Sequence, residues 1–210
     1  IKGNARYTWD SLDQRIRTIG KHNADALMVL GGYAPYWAST DMDSDEDDWR
    51  RKDCYRCDEH PKRLDDWRKW VGDVSRRYEN GPVGYWEIWN EPYFMTTHDW
   101  CPGDDVCKSG LGSGYRGSPE QLLQLQLEAR TIIKKMNAKA GIVSAGVSHH
   151  HRDYLDYFLR IGGGESADVI GYHMYLEGPP ELAITHILSL RSILRDYGLE
   201  GKPLWCTECG

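Results

Sequence analysis

Residues 85–92 read YWEIWNEP, from Tyr85 to Pro92. From Val83 to Trp89 the chain is apolar or aromatic except at Gly84 and Glu87. A short continuous run of this kind fits a strand buried on both faces, as in a parallel sheet under helices. The run stops at Asn90-Glu91-Pro92. Proline cannot donate to a central ladder, so the strand is expected to end there, with a carboxylate beside an amide. Strand alternation would send Asn90 and Glu91 to opposite faces, so a shared task for both requires a bulge or an irregular strand end. Glu87 sits inside the strand, and the sequence gives it no role.

Working outward, similar apolar runs occur at Ala26–Leu30, Gly141–Ser148, Val169–Tyr175 and Leu204–Glu208. Before and between them lie stripes at helical spacing: Trp9, Leu12, Ile16 and Ile19; Trp67, Trp70, Val71, Val74 and Tyr78; Leu122, Leu125, Ala129, Ile132, Ile133 and Met136; Tyr154, Leu155, Phe158 and Leu159; Ile184, Ile187, Leu188 and Leu194. Ser118-Pro119-Glu120-Gln121 reads as a helix start, with Ser118 as cap, Pro119 at the first helical position and Gln121 reaching back. Gly198 marks a helix stop. Strict alternation of strand and helix predicts an α/β fold with parallel strands and right-handed crossovers, in a single domain over residues 1–210. Residues 38–63 and 93–117 read as long polar loops. Such loops follow strand C-terminal ends, where (β/α)8 barrels carry their sites.

Bulk properties narrow the function. The 210 residues carry a formal net charge of -6. An acidic chain without a basic stripe lacks the cations that displace phosphate counterions, which argues against a nucleic-acid partner. No apolar run approaches the ~20 residues of a membrane span. GxxxxGK[ST] is absent, and the GxGxxG at Gly112–Gly117 lies deep in the 93–117 loop rather than directly after a strand, so no nucleotide cofactor is expected. Nine Trp and thirteen Tyr stand against two Phe. Such rings pair a flat apolar face with a polar handle, which suits both core packing and the C–H face of a sugar.

The six cysteines are Cys54, Cys57, Cys101, Cys107, Cys206 and Cys209. Their even number and close spacing permit disulfides and point to an oxidising, extracellular setting. Cys101–Cys107 is the favoured loop-closing bridge and Cys54–Cys57 a weaker one. Cys206 and Cys209, close together on an extended strand, are expected to be free. A zinc site from the two CxxC pairs is disfavoured by the long gap between them, and no metal is expected. The acidic run Asp41–Asp48 has alternating oxygen donors but lacks the Gly and closing Glu of an EF-hand loop, so it reads as a solvated charge run. The chain starts at Ile1 without a Met or a visible leader, so secretion is an expectation resting on the cysteines alone.

The chemistry-bearing residues gather at strand ends. Glu91 ends one strand and Glu208 the last; His173 and Tyr175 end the strand between them in sequence order. Two carboxylates at one cleft can divide labour, one donating a proton to a leaving oxygen while the other attacks the carbon. Asn90 can hold a hydroxyl beside the reacting carbon. His173 and Tyr175 can orient the attacking carboxylate, and Trp37 and Trp205 offer rings for a sugar.

Taken together, "YWEIWNEP", "GYHMY" (Gly171–Tyr175) and "PLWCTECG" (Pro203–Gly210) resemble the clan A glycoside hydrolases, which are retaining (β/α)8-barrel enzymes. The resemblance implies that Glu91, in Asn-Glu-Pro at the end of strand 4, is the general acid/base. It implies that Glu208, at the end of strand 7, is the nucleophile. Asn90 would meet the sugar 2-hydroxyl, and His173 and Tyr175 match the strand 6 aromatic pair. "GGYAPYWAS" (Gly31–Ser39) and "LDDWRKWVGDVSRRYENGPVGYWEIWNEP" (Leu64–Pro92) look most like the branch of β-xylosidases and α-L-iduronidases, with cellulase-like and mannanase-like members near behind. The match runs over roughly residues 8–210 and places strands 3 to 7 here. Strands 1, 2 and 8, and the clan's site Arg near strand 2, have no counterpart, so an incomplete barrel is expected. The implied activity is hydrolysis of a plant or microbial polysaccharide or oligosaccharide by double displacement. The alternative is a carbohydrate-binding barrel fragment without turnover. The sequence assigns no oligomeric state.

Overall fold

The computed structural model describes residues 7–31, 38, 60–94, 114–115, 117–148 and 151–210. Its elements run α1 (Asp10–Lys21), β1 (Ala26–Leu30), α2 (Leu64–Tyr78), β2 (Val83–Ile88), β3 (Tyr93–Phe94), β4 (Gly114–Tyr115), α3 (Pro119–Met136), β5 (Gly141–Val143), β6 (Val147–Ser148), α4 (Arg152–Arg160), β7 (Ile170–Met174), α5 (Leu182–Asp196) and β8 (Leu204–Cys209). The strands pair in parallel in the orders β1-β2-β5 and β6-β7-β8. Isolated bridges Asn90↔Gly146 and Val143↔Val169 continue the pairing between the two sheets. The apolar run 141–148 is thus one strand interrupted at Ser144–Gly146, and it joins the sheets. Spatial order follows chain order, as in consecutive units of a (β/α)8 barrel. The fold is therefore α/β of the parallel barrel type.

Alternation along the strands separates the two faces. Ala26, Met28 and Leu30 of β1 are buried in one core with Ile16, Trp67, Val71, Val74, Leu125 and Ile133 of the helices. A second core joins Leu155 and Leu159 of α4, Ile170 and Tyr172 of β7, and Leu190 and Leu194 of α5. The residues of opposite parity face the barrel interior. There Val29 stands beside Glu87 in the register, and Val29 is 44% exposed. Gly141 lies opposite Tyr85, and a Cβ at residue 141 would fall 2.3 Å from the Tyr85 ring.

Local chemistry fixes the frame. The capping box of α3 is present: the Gln121 amide donates to Ser118 Oγ at 3.2 Å, and the Ser118 amide donates to Gln121 Oε1 at 2.8 Å. Helix α5 closes with Gly198 at φ +68°, whose amide donates to Arg195 O while the Leu199 amide donates to Leu194 O. Those two bonds make a Schellman motif, which needs the left-handed residue that glycine supplies. Asp168 ties α3 to the strands: Lys134 and Arg130 reach it at 2.8 and 2.9 Å, and the Ile142 amide donates to it at 2.9 Å. Burial opposes the charge on Asp168, but Lys134, the Ile142 amide and Arg130 outweigh burial and hold its carboxyl at about 2.

Three expectations change. Loop 93–117 contains the short parallel pair β3–β4, and Tyr115 is fully buried, with its ring edge-on to Trp89 and its hydroxyl 2.8 Å from His60 Nδ1. Strand β2 ends at Ile88 rather than Trp89, because Trp89 turns to φ +73°. Ile184 and Leu188 of α5 are exposed, and Leu190 and Leu194 supply its buried stripe.

Candidate active site

Past Ile88 the chain leaves the regular strand. Trp89 has φ +73° and Glu91 φ +41°, both in the region that residues with a side chain rarely adopt. Conformations of that kind cost ~1–3 kcal/mol each and persist where their surroundings fix them. Here Trp89 is held by its own amide, which donates to Leu30 O at 2.7 Å, and by burial of its ring against Tyr115. Gly31, at φ +108°, makes room for that ring: a Cβ there would lie 2.4 Å from it. Asn90 bridges to Gly146, and the Glu91 amide donates to Gly146 O at 3.2 Å. This is the irregular strand end that a common task for Asn90 and Glu91 requires.

Glu91 meets His173 from β7, with His173 Nδ1 2.8 Å from Glu91 Oε1. The His173 side chain is 1% exposed, and its Nδ1 also lies 3.8 Å from Glu208 Oε2. Donor atoms of Glu91, His173 and Glu208 all fall within 4.8 Å of one another. Among the described residues this is the one grouping of His, Cys, Asp and Glu compact enough to share a cation. The Tyr175 hydroxyl donates to Glu208 Oε1. One imidazole therefore stands between two carboxylates, hydrogen-bonded to Glu91 and 3.8 Å from Glu208.

The electrostatics follow from these contacts. Burial alone would lower the His173 pKa, but the hydrogen bond to Glu91 and the charges of Glu208, Glu91 and Glu87 outweigh burial and raise it. Tyr175 is pushed up to about 12, first by its hydrogen bond to Glu208, then by partial burial and the charges of Glu208 and Glu91. One proton shared between Glu91 and His173 can sit on either partner: a protonated Glu91 donates to a neutral ring, and an ionised Glu91 accepts from the ring N–H.

Of the residues singled out from the sequence, Glu91, His173, Tyr175 and Glu208 form this connected group, and Asn90 adjoins it on the backbone. Trp205 lies lower on β8, with its ring 4.6 Å from that of Tyr85 rather than in the hydrogen-bonded group. Trp37, the acidic run 41–48, Cys54, Cys57, Cys101 and Cys107 lie outside the described residues. Cys206 and Cys209 are free thiols.

Two residues without a part in the sequence reading complete the floor of the site. Glu87 is 2% exposed and accepts a hydrogen bond from Thr207 Oγ1 at 2.8 Å. The register of β7 against β8 shifts at this level, pairing Tyr172 with Cys206 and His173 with Glu208. Thr207 is the extra residue, which lets Thr207 and Glu208 both serve the interior. A readable signal existed: an acidic residue in an otherwise apolar, doubly covered strand must find a partner.

Comparison with known folds agrees with the parallel barrel-type architecture. A β-xylosidase from Caulobacter crescentus superposes with a TM-score of 0.66 at 16% identity, over 100% of this chain and 42% of its own. The chain shares its fold with that part of the enzyme. A glucosidase from Croceicoccus marinus gives 0.64 at 14% identity, over 97% of this chain and 38% of its own. A β-1,4-mannanase from the sea hare Aplysia kurodai gives 0.53 at 18% identity, over 100% of this chain and 62% of its own. This chain therefore spans 38–62% of the length of these structures. No protein-family model and no curated protein matches the sequence.

Proposed function

We propose that the chain carries the catalytic pair of a retaining glycoside hydrolase acting on a plant or microbial polysaccharide or oligosaccharide. The observation that carries this reading is that one carboxylate oxygen of Glu91 and one of Glu208 lie within 4.8 Å of each other around His173. Retaining enzymes hold their carboxyl groups ~5–5.5 Å apart, whereas inverting ones leave ~6.5–9.5 Å for a water. In the first step protonated Glu91 donates to the glycosidic oxygen while Glu208 attacks the anomeric carbon. The leaving group departs as an alcohol, and a glycosyl ester forms on Glu208. Glu91, now ionised, deprotonates water, which attacks the anomeric carbon and releases Glu208. His173 faces both carboxylates, and the Tyr175 hydroxyl holds Glu208 Oε1 for attack. Asn90 is placed to bind the hydroxyl next to the reacting carbon.

The β-xylosidase/α-L-iduronidase branch is the sub-group we favour, on the motifs of residues 31–39 and 64–92. An extracellular or other oxidising setting is proposed on the six cysteines. Counting thiols under denaturing conditions tests it, and six free thiols would reject every disulfide. The reading of function is tested with aryl glycosides: Glu208→Gln abolishes turnover, and azide added to Glu208→Gly gives a glycosyl azide of inverted configuration. Full activity in Glu208→Gln overturns the assignment. The open interior beside β1, marked by exposed Val29, supports a second reading as a binding module without turnover. Calorimetric binding of oligosaccharides with no hydrolysis would favour that second reading.

A further inference from the structure

Glu87 is a carboxyl group buried under the site with no place in the double displacement. It stands in β2, four residues before Glu91, between Val29 of β1 and Val143 of β5 in the register. Two glycines make its space: a Cβ at residue 146 would lie 2.8 Å from Glu87 Oε1, and one at residue 171 would lie 2.9 Å from the same atom. The residue-146 Cβ would also meet His173 Nε2 at 2.1 Å. Glu87 Oε1 and the far edge of the His173 ring therefore press on one point above Gly146. His173 Nδ1, on the other side of the ring, holds Glu91. Glu87 also holds Thr207, the bulged residue immediately before Glu208.

We propose that Glu87 is a positioning residue of the catalytic centre, holding the His173 ring from beneath and, through Thr207, the strand segment that carries Glu208. The inference rests on the glycosidase reading for its purpose, and for its contacts on the Thr207 hydrogen bond and the space that Glu87 and His173 share above Gly146. A buried carboxyl is a costly way to fill space, since an apolar side chain would do so without desolvation. What it adds is an acceptor and a charge. The groups facing it are the His173 ring, the Thr207 hydroxyl, the Gly146 amide and Glu208. Those facing His173 are Glu91, Glu208 and Glu87. Glu87 thus reaches Glu91 through His173 and Gly146, and Glu208 both as a neighbouring like charge and through Thr207.

The test is the titration of His173 by ¹H–¹⁵N correlation in the intact chain, labelled at histidine. Glu87→Gln removes one of the negative charges that favour imidazolium, so the His173 pKa falls. Thr207→Val is the second variant, in case the first does not fold. Without the hydroxyl that favours the charged carboxyl, Glu87 is more often neutral, and His173 again titrates lower. An unmoved His173 titration in a folded variant overturns the proposal. Turnover is read in parallel on aryl glycosides, where Glu87→Gln is expected to lower kcat with little change in KM and to displace the pH profile. If Glu208→Gln abolishes turnover while His173 does not respond to Glu87→Gln, this inference fails alone. If His173 responds but Glu208→Gln keeps full activity, the glycosidase reading fails and the positioning contact stands.

Discussion

Replacing Glu87 by Gln should change the stability of the fold in a pH-dependent way. Burial lifts the Glu87 carboxyl from 4.5 to about 7; Thr207, His173 and the Gly146 amide favour its charged form without offsetting burial, and Glu208 adds to the lift. In the unfolded chain the group returns to its ordinary value. Below pH ~4.5 the carboxyl is neutral in both states and carries no linkage. Between ~4.5 and about 7 the unfolded chain releases the proton that the folded chain keeps, so stability falls as pH rises. Above that range both states are ionised and the loss is complete. A rise from 4.5 to about 7 corresponds to roughly 3 kcal/mol at ~1.4 kcal/mol per pH unit. Glutamine is nearly isosteric and does not titrate. Its effect on packing and hydrogen bonding is constant with pH, so the pH dependence of the difference isolates the charge. Urea denaturation of both proteins at pH 4.5 and pH 8.5 measures it. Relative to wild type, Glu87→Gln should gain up to about 3 kcal/mol on going from the lower to the higher pH. A difference that is flat with pH, or that moves the other way, refutes the reasoning that Glu87 is a desolvated acid in the folded state.

Further expectations follow from the same contacts. Asp168 shows the opposite linkage: its carboxyl is held at about 2, so the stability it provides is present above pH ~4 and is lost as pH falls towards 2. Asp168→Asn should lower stability at pH 7 by about 1–2 kcal/mol, allowing for screening of a group that is 33% exposed, and the difference should vanish near pH 2 in urea titrations. Gly31→Ala places a methyl 2.4 Å from the Trp89 ring at φ +108°, and should destabilise by about 1–3 kcal/mol with a shift in tryptophan emission. Ser118→Ala removes the cap of α3 and should cost about 1 kcal/mol in the same denaturation assay.

The sequence exposed the architecture because each strand is a compact apolar run and each helix a stripe. The box at Ser118 and the stop at Gly198 were legible because capping chemistry is local. The carboxylates were legible for a different reason: Glu91 and Glu208 sit where apolar runs end. What stayed hidden depends on contacts between distant residues. Trp89 at positive φ has no local signature, since a tryptophan does not favour that region; Gly31 across the sheet makes it possible. The break at Ser144–Gly146 lies in a small-residue stretch that reads as continuous strand. Ile184 and Leu188 fit a buried stripe by spacing, yet the buried side of α5 is set by where β7 and β8 lie. Glu87 looked idle because its partners, Thr207 and the glycines at 146 and 171, come from three later segments of the chain.

In the proposed mechanism Glu208 becomes covalently bonded to the sugar while Glu91 moves the proton. The most direct measurement is peptide mass spectrometry after incubation with an activated 2-deoxy-2-fluoro glycoside, whose fluorine slows release of the glycosyl ester. The account predicts a glycosyl adduct on the peptide containing Glu208, absent in Glu208→Gln. Turnover of the parent glycoside with an adduct elsewhere, or with inverted product and no adduct, would contradict it.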